Sequence, residues 1–256
     1  MVPFFRQEGE PIGRNLETIG PEKGQRVPIC SVVIPAAGSS SRMEGIDKQF
    51  APVGGIPCLA RTLLSFEECR EIGEIVVVTR PDLLVEVGRL CKEYGLDKVK
   101  KVVAGGSERT NSVLAGLREV SPQAELIAIH DGARPLLPPQ VLEETVAQAA
   151  RTGAAAPALP VTDTIKRIKD GVSTGTVDRE DLRAVQTPQI FEAGLIRAAL
   201  EKAIADGENL TDDCAAVERL GMPVTLTQGS RENIKITTPF DLLLGQAILE
   251  NRVKGS

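Results

Sequence analysis

The sequence contains no tryptophan, one tyrosine (Tyr94) and one histidine (His130). Few aromatic faces are left on which single-stranded bases could stack. Charge is balanced, with 30 basic and 35 acidic residues and a net charge of −5, so no global field draws the chain to nucleic acid or to an anionic membrane. One histidine excludes a histidine-rich metal site, and it excludes a Ser-His-Asp triad unless His130 itself serves. The five cysteines (Cys30, Cys58, Cys69, Cys91 and Cys214) are odd in number and form no C-x-x-C. That reads as reduced thiols of a cytoplasmic protein rather than a disulfide framework or zinc site. No apolar run approaches the ~20 residues that span a bilayer, and residues 1–28 lack the apolar centre of a signal peptide. Neither G-x-G-x-x-G nor G-x-x-x-x-G-K-S/T occurs, so the usual NAD-binding and ATP-hydrolysing machinery is absent.

The order of what is present is informative. Residues 1–28 are rich in Gly, Pro and charge and read as a disordered leader. From residue 29 to 256 we expect a single domain. Short apolar runs at 32–34, 75–79, 99–103, 126–129, 155–159 and 224–227 alternate with helical patterns near 58–69, 82–94, 108–120, 139–151 and 192–206. Further helices are expected near 212–220 and 239–251, the last starting at Thr238 as N-cap with Pro239 at the first position. This alternation predicts an α/β fold with a mostly parallel, doubly wound sheet. Residues 162–181 break the rhythm with period-two alternation and glycine turns. They predict a β-hairpin arm, which is marginal alone and needs cover; a second subunit is the natural candidate.

Three loops carry the chemistry. Val32 to Ile34 ends at Pro35 and runs into Ala36, Ala37, Gly38 and three serines, followed by the cations Arg42 and Lys48. A buried strand feeding a small-residue loop can bring backbone N–H groups against an anion, and in an open α/β sheet ligands bind beyond the carboxyl ends of strands. The two cations would clamp a triphosphate. Gly105-Gly106-Ser107 allows close backbone approach, with Ser107 able to cap the next helix and Ser112 one turn along. His130-Asp131-Gly132-Ala133-Arg134 ends the fourth strand. Asp131 can hold Mg2+ through oxygen ligands, Arg134 can meet phosphate with its planar fork, and His130 reads as structural. Thr187-Pro188-Gln189, Thr211-Asp212-Asp213 and Asn233-Ile234-Lys235 are weak signals singly. Thr211 reads as an ordinary N-cap, and Asp212 and Asp213 as complements to a helix dipole.

Taken in order, IPAAGSSSRM, DKQF, GGSERTNSVLAGL, IHDGARPL, PVTDTIKR, TVDR, QTPQIF, LTDD and NIKITTPFD resemble the 2-C-methyl-D-erythritol 4-phosphate cytidylyltransferases of the non-mevalonate isoprenoid pathway. The resemblance runs from about residue 31 to 245. It implies a Rossmann-like nucleotidyltransferase fold and a homodimer whose arms embrace. It implies transfer of a cytidylyl group from CTP to methylerythritol phosphate, with Mg2+ on Asp131. CTP would meet Pro35, Ala36, Ala37, Gly38, Gly106 and Ser112, with Arg42 and Lys48 on the triphosphate and Lys235 near the attacking phosphate. Thr164, Arg179 and Thr187 would surround methylerythritol phosphate, the first two from the partner's arm, and Ala133, Arg134 and Thr211 match further substrate positions. The resemblance also shows a departure: Gly132 stands where alanine is common. A ribitol 5-phosphate cytidylyltransferase has a similar CTP half and is the nearest alternative. A CTP-sensing module without turnover would not need Lys48, Asp131 and Lys235 together.

Overall fold

The computed structural model describes residues 29–38, 43, 47–106, 108–208 and 210–254. The expected leader at 1–28, Arg42 and Ser107 lie outside the described residues. Six strands of the main sheet run parallel: β1 (Cys30–Pro35), β4 (Ile72–Thr79), β5 (Val99–Ala104), β6 (Leu126–Ile129), β7 (Ala154–Pro160) and β12 (Thr225–Gln228). A short ribbon, β2 (Pro52–Val53) and β3 (Ile56–Pro57), stands apart from this sheet. The remaining strands are two hairpin strands, β8 (Lys166–Lys169) and β9 (Val172–Thr176), and two antiparallel members, β10 (Arg183–Val185) and β11 (Gln189–Glu192).

The inner parallel strands β1, β4, β6 and β7 are largely buried, which is why they read as apolar runs, whereas β5 and β12 are partly exposed. Val32 and Ile34 of β1 enter one core while Val33 enters the other. Ile75 and Val77 of β4 likewise face one way, and Val76 and Val78 the other. The first core is closed by α1 (Cys58–Glu67), α2 (Leu84–Glu93) and α4 (Pro139–Thr152). The second is closed by α3 (Arg109–Glu119), α5 (Ala193–Ala205) and α6 (Asp213–Arg219). A smaller cluster around Val53, Leu136 and Ile236 seats α7 (Pro239–Lys254) against the loops at the strand ends.

Three expectations change. Residues 183–192 lie along β7 as antiparallel strands, and β11 slots between β6 and β7, with a cis Thr187–Pro188 bond between the two segments. The short segment QIFE carries too little pattern to reveal this. Helix α6 is capped by Asp212, whose carboxylate accepts from the Ala215 N–H, and not by Thr211, which is exposed. The α7 start is closed by Asp241, whose Oδ2 accepts from the N–H groups of Thr237 and Thr238 at 2.8 Å each. Thr238 donates its hydroxyl to the same oxygen rather than acting as the cap acceptor. The hairpin at 166–176 forms as expected. Its turn residues, Asp170 and Gly171, have φ of 50° and 79°, the left-handed pair that matches strand twist in a two-residue loop.

Candidate active site

A cleft opens beyond the carboxyl ends of β1, β5 and β6, where a parallel sheet places its ligands. Pro35, Ala37 and Gly38 line it on one side, and Gly106, Glu108, Arg109 and Ser112 on another. Lys48, Gln49, Asp131, Gly132, Ala133 and Lys235 complete the lining. The two glycine-bearing loops touch. A Cβ at Gly105 would lie 2.7 Å from both Ala37 Cβ and Ser112 Oγ, so only glycine lets them meet. Ala36 is part of the wall's backing: its side chain is in the core and its N–H donates to the Val78 carbonyl at 2.7 Å. The turn into α3 has Glu108, not Ser107, at the N-cap position, and Ser112 donates its hydroxyl to the Glu108 carbonyl.

Asp131 is the electrostatic centre. Its Oδ2 lies 3.0 Å from Lys235 Nζ and 3.3 Å from Arg134 Nε, and its Oδ1 lies 4.0 Å from Arg109 Nε. Burial alone would raise its pKa, but Lys235, Arg134 and Arg109 together hold it down at about 2. The carboxylate is therefore ionised at neutral pH. Arg134 is largely committed within the protein, since its Nη1 also donates to the Asn233 carbonyl at 2.7 Å. It ties the Asp131 turn to the segment that carries Lys235.

His130 explains how the turn is braced. Its Nε2 lies 3.2 Å from the Arg134 carbonyl, which can only accept, so Nε2 bears the proton. Nδ1 then accepts from the Thr187 hydroxyl at 3.0 Å, and the same hydroxyl accepts from the Asp131 N–H at 3.1 Å. Burial pushes the imidazole pKa down to about 4, so the ring is neutral and this arrangement persists at neutral pH. Thr187 is buried, with its hydroxyl spent on this network rather than turned to the cleft lining. Thr164 and Arg179 are exposed and line no part of this cleft; Arg179 donates to the Thr162 carbonyl at 2.7 Å.

Arg109 and Asp213 were not legible as a pair. Asp213 is buried at the start of α6 and takes the Arg109 guanidinium bidentately at 2.9 and 2.6 Å. Burial raises the Asp213 pKa despite that cation. For Arg109 burial works to lower the pKa, and Asp213 and Asp131 overcome it and leave it raised. Gln189 Oε1 accepts from the N–H groups of Asp213 and Cys214, and its Nε2 donates to Asp212, so β11 fixes the partner of a cleft residue. The sequence signal was an acidic pair at a helix start, which reads equally well as dipole compensation.

All five cysteines are free, and burial raises their thiol pKa values, Cys58 to about 12, so no thiolate nucleophile is offered. No cluster of three or more His, Cys, Asp or Glu capable of holding a metal occurs among the described residues. The ionised carboxylate of Asp131 suits a Mg2+ that takes its remaining ligands from phosphates and water, and does not by itself make a closed all-protein cage. No helix among the described residues is long and apolar enough to cross a membrane.

Known proteins resemble this chain both in sequence and in fold. The chain is 47% identical over 223 residues to the 2-C-methyl-D-erythritol 4-phosphate cytidylyltransferase of Halalkalibacterium halodurans, covering 87% of this chain and 97% of that one. It is 45% identical over 233 residues to the enzyme of the same name from Symbiobacterium thermophilum, covering 90% and 97%. Among solved structures, the 4-diphosphocytidyl-2C-methyl-D-erythritol synthase of Anaerococcus prevotii superposes with a TM-score of 0.77 at 31% identity, covering 87% of this chain and 96% of that one. The 2-C-methyl-D-erythritol 4-phosphate cytidylyltransferase of Thermus thermophilus gives 0.71 at 33% identity, covering 85% and 98%. Residues 30–251 match the family description of these enzymes, and the chain belongs to the 2-C-methyl-D-erythritol 4-phosphate cytidylyltransferase (IspD) family.

Proposed function

We propose that this cleft catalyses cytidylyl transfer from CTP to 2-C-methyl-D-erythritol 4-phosphate by placing charge and aligning reactants, with no general base. One observation carries the reading: Lys48, Asp131 and Lys235 converge on one cleft beside the Pro35–Gly38 loop, although they come from distant parts of the chain. The phosphate oxygen of the second substrate attacks the α-phosphorus of CTP. A new P–O bond forms, the α–β bridge breaks, and pyrophosphate leaves with the electron pair. A phosphate monoester is mostly dianionic at neutral pH, its second pKa being about 6, so it is already a nucleophile. A neutral, buried His130 with both nitrogens engaged agrees with that economy.

The cytosine and ribose end would lie along Pro35, Ala37, Gly38, Gly106 and Ser112. Lys48, together with Arg42, would neutralise charge gathering on the α-phosphoryl group and on the leaving pyrophosphate. Lys235 would orient the attacking phosphate. Asp131 would hold Mg2+, which supplies charge neutralisation on the triphosphate when bound. Ala133, Arg134, Thr187 and Thr211 would shape the second-substrate side, Arg134 and Thr187 through the hydrogen bonds described above. Thr164 and Arg179 would serve the neighbouring subunit of a homodimer. The arm's exposure supports this, since Ile168 and Val172 are 71% and 66% exposed on a hairpin that cannot bury itself. We assign residues 29–256 to one nucleotidyltransferase domain working in the cytoplasm, in keeping with the free cysteines.

Pyrophosphate release from CTP, measured with methylerythritol 4-phosphate and separately with ribitol 5-phosphate, tests the reading. Turnover with the first and little with the second is expected. Faster turnover with ribitol 5-phosphate would reassign the polyol pocket, and CTP binding without turnover would make the chain a sensor.

A further inference from the structure

Lys235 lies between the end of β12 and the start of α7, in a stretch that is neither helix nor strand. Its Nζ nonetheless reaches Asp131 in the cleft. A lysine stem is flexible, so its ammonium is placed only if the backbone on both sides is held. After Lys235, the Ile236 N–H donates to the Ala133 carbonyl at 2.8 Å. Before it, the hold comes from Gln186, a buried residue that lines no part of the cleft. Gln186 Nε2 donates to the Ser230 carbonyl at 2.8 Å, and its Oε1 accepts from the Ser230 N–H at 3.2 Å. Longer contacts of 3.4 Å join Nε2 to the Asn233 carbonyl and Asn233 Nδ2 to Oε1. Asn233 is fully buried, and its Nδ2 also donates to the Thr187 carbonyl at 2.8 Å. The Gln186 main chain is anchored in turn, since its N–H donates to the Pro157 carbonyl of β7 at 2.7 Å. Glycine makes room for the amide: a Cβ at Gly229 would lie 2.8 Å from Gln186 Oε1 and 3.0 Å from the Ala158 carbonyl oxygen. Ser230 thus offers both its N–H and its carbonyl to one side chain. A carboxamide answers with one acceptor and one donor, whereas a carboxylate has no donor and a thioether offers only a weak acceptor.

We propose that Gln186 is a positioning residue for the transfer reaction, its amide clamping the Ser230–Asn233 turn so that Lys235 meets the attacking phosphate. This rests on the reading of Lys235 as the group that orients that phosphate. Gln186 acts through the loop it holds and not by touching either substrate. The turn is fastened at both ends, because the Asn233 N–H donates back to the Ser230 carbonyl at 3.1 Å and Arg134 takes the Asn233 carbonyl. Releasing Ser230 therefore loosens the one side of Lys235 that no strand supports.

The test uses the full chain with Gln186→Met, which keeps the length and removes both halves of the clamp, and Gln186→Glu, which keeps the acceptor and removes the donor. Each is made alone and together with Lys235→Ala. Steady-state kinetics for both substrates are measured well below the Tm of each variant, and CTP with Mg2+ is titrated without the second substrate. In each single Gln186 variant kcat/KM for methylerythritol 4-phosphate should fall roughly 10- to 100-fold, the scale on which a misplaced reacting group acts. The dissociation constant of CTP should stay at the wild-type value. In the Lys235→Ala background the same substitutions should cost almost nothing further, since the group they hold is gone. A loss of the same factor in both backgrounds would overturn the proposal and leave Gln186 a stability residue. So would unchanged kinetics, an equal loss in CTP binding, or failure of both variants to fold. Wild-type turnover in Lys235→Ala alone would overturn the reading of Lys235, and this proposal with it.

Discussion

Asp213→Asn isolates the contribution of the Arg109–Asp213 pair. The substitution keeps the shape of the side chain and removes its charge, leaving Arg109 with a neutral partner. The two guanidinium contacts, at 2.9 and 2.6 Å, have fork-to-fork geometry, and Asp213 is 1% exposed. Breaking such a pair from one side costs about 3–5 kcal/mol because a buried charge is left uncompensated. The Arg109 side chain is 31% exposed along the cleft, so part of its hydration is recovered. The lower end applies, about 3 kcal/mol. For a chain of this size that lowers Tm by roughly 6–12 °C, at about 2–4 °C per kcal/mol. Removing the other partner as well, in Arg109→Met with Asp213→Asn, should restore much of the loss, since no unpaired charge remains. Chemical denaturation of the wild type, both single variants and the double variant closes the cycle, and a coupling of at least about 2 kcal/mol is expected. Effects that add to within about 0.5 kcal/mol would mean that the two side chains do not act as a unit.

Lys48→Ala should lose about 100- to 1000-fold in kcat with a smaller change in KM, because its charge matters most as pyrophosphate leaves; steady-state kinetics showing only a KM effect would make it a uniform binder. A two-tag heterodimer carrying Arg179→Ala in one subunit and Lys48→Ala in the other should retain about half of wild-type activity if the arm serves the neighbouring site, since one site stays intact; near-zero activity would confine Arg179 to its own subunit. His130 is neutral in the folded state down to a pKa of about 4, against an ordinary 6.5 when unfolded. The unfolded chain therefore binds the extra proton first, and stability should fall by about 3 kcal/mol as pH drops from 6.5 to 4. Denaturation curves across that window should show a shallower fall for His130→Asn, and an unchanged slope would rule out the buried neutral ring as its source.

The sequence by itself determined the layered α/β fold and the addresses of the loops that line the cleft. Strands buried on both faces must be apolar without interruption, so β1, β4, β6 and β7 stand out, and loops at their carboxyl ends must hold small residues where a ligand meets backbone. The Asp170-Gly171 turn likewise announces its hairpin, because few residues tolerate two consecutive positive φ values. Tertiary structure decided how each polar group is satisfied. Arg109 and Asp213 lie 104 residues apart, and only the folded chain, in which α3 and α6 both pack against α5, makes them partners. Thr187 reads as a substrate hydroxyl until β11 slips beside β6 and gives that hydroxyl to His130 and the Asp131 N–H. Arg134 reads as a phosphate fork until the Asn233 carbonyl takes one of its arms. Pattern along a chain reports burial because burial repeats with the period of the element. A hydrogen bond between distant segments has no period, so the division of polar residues into those that brace the cleft and those left open to it emerges only when the chain has closed on itself.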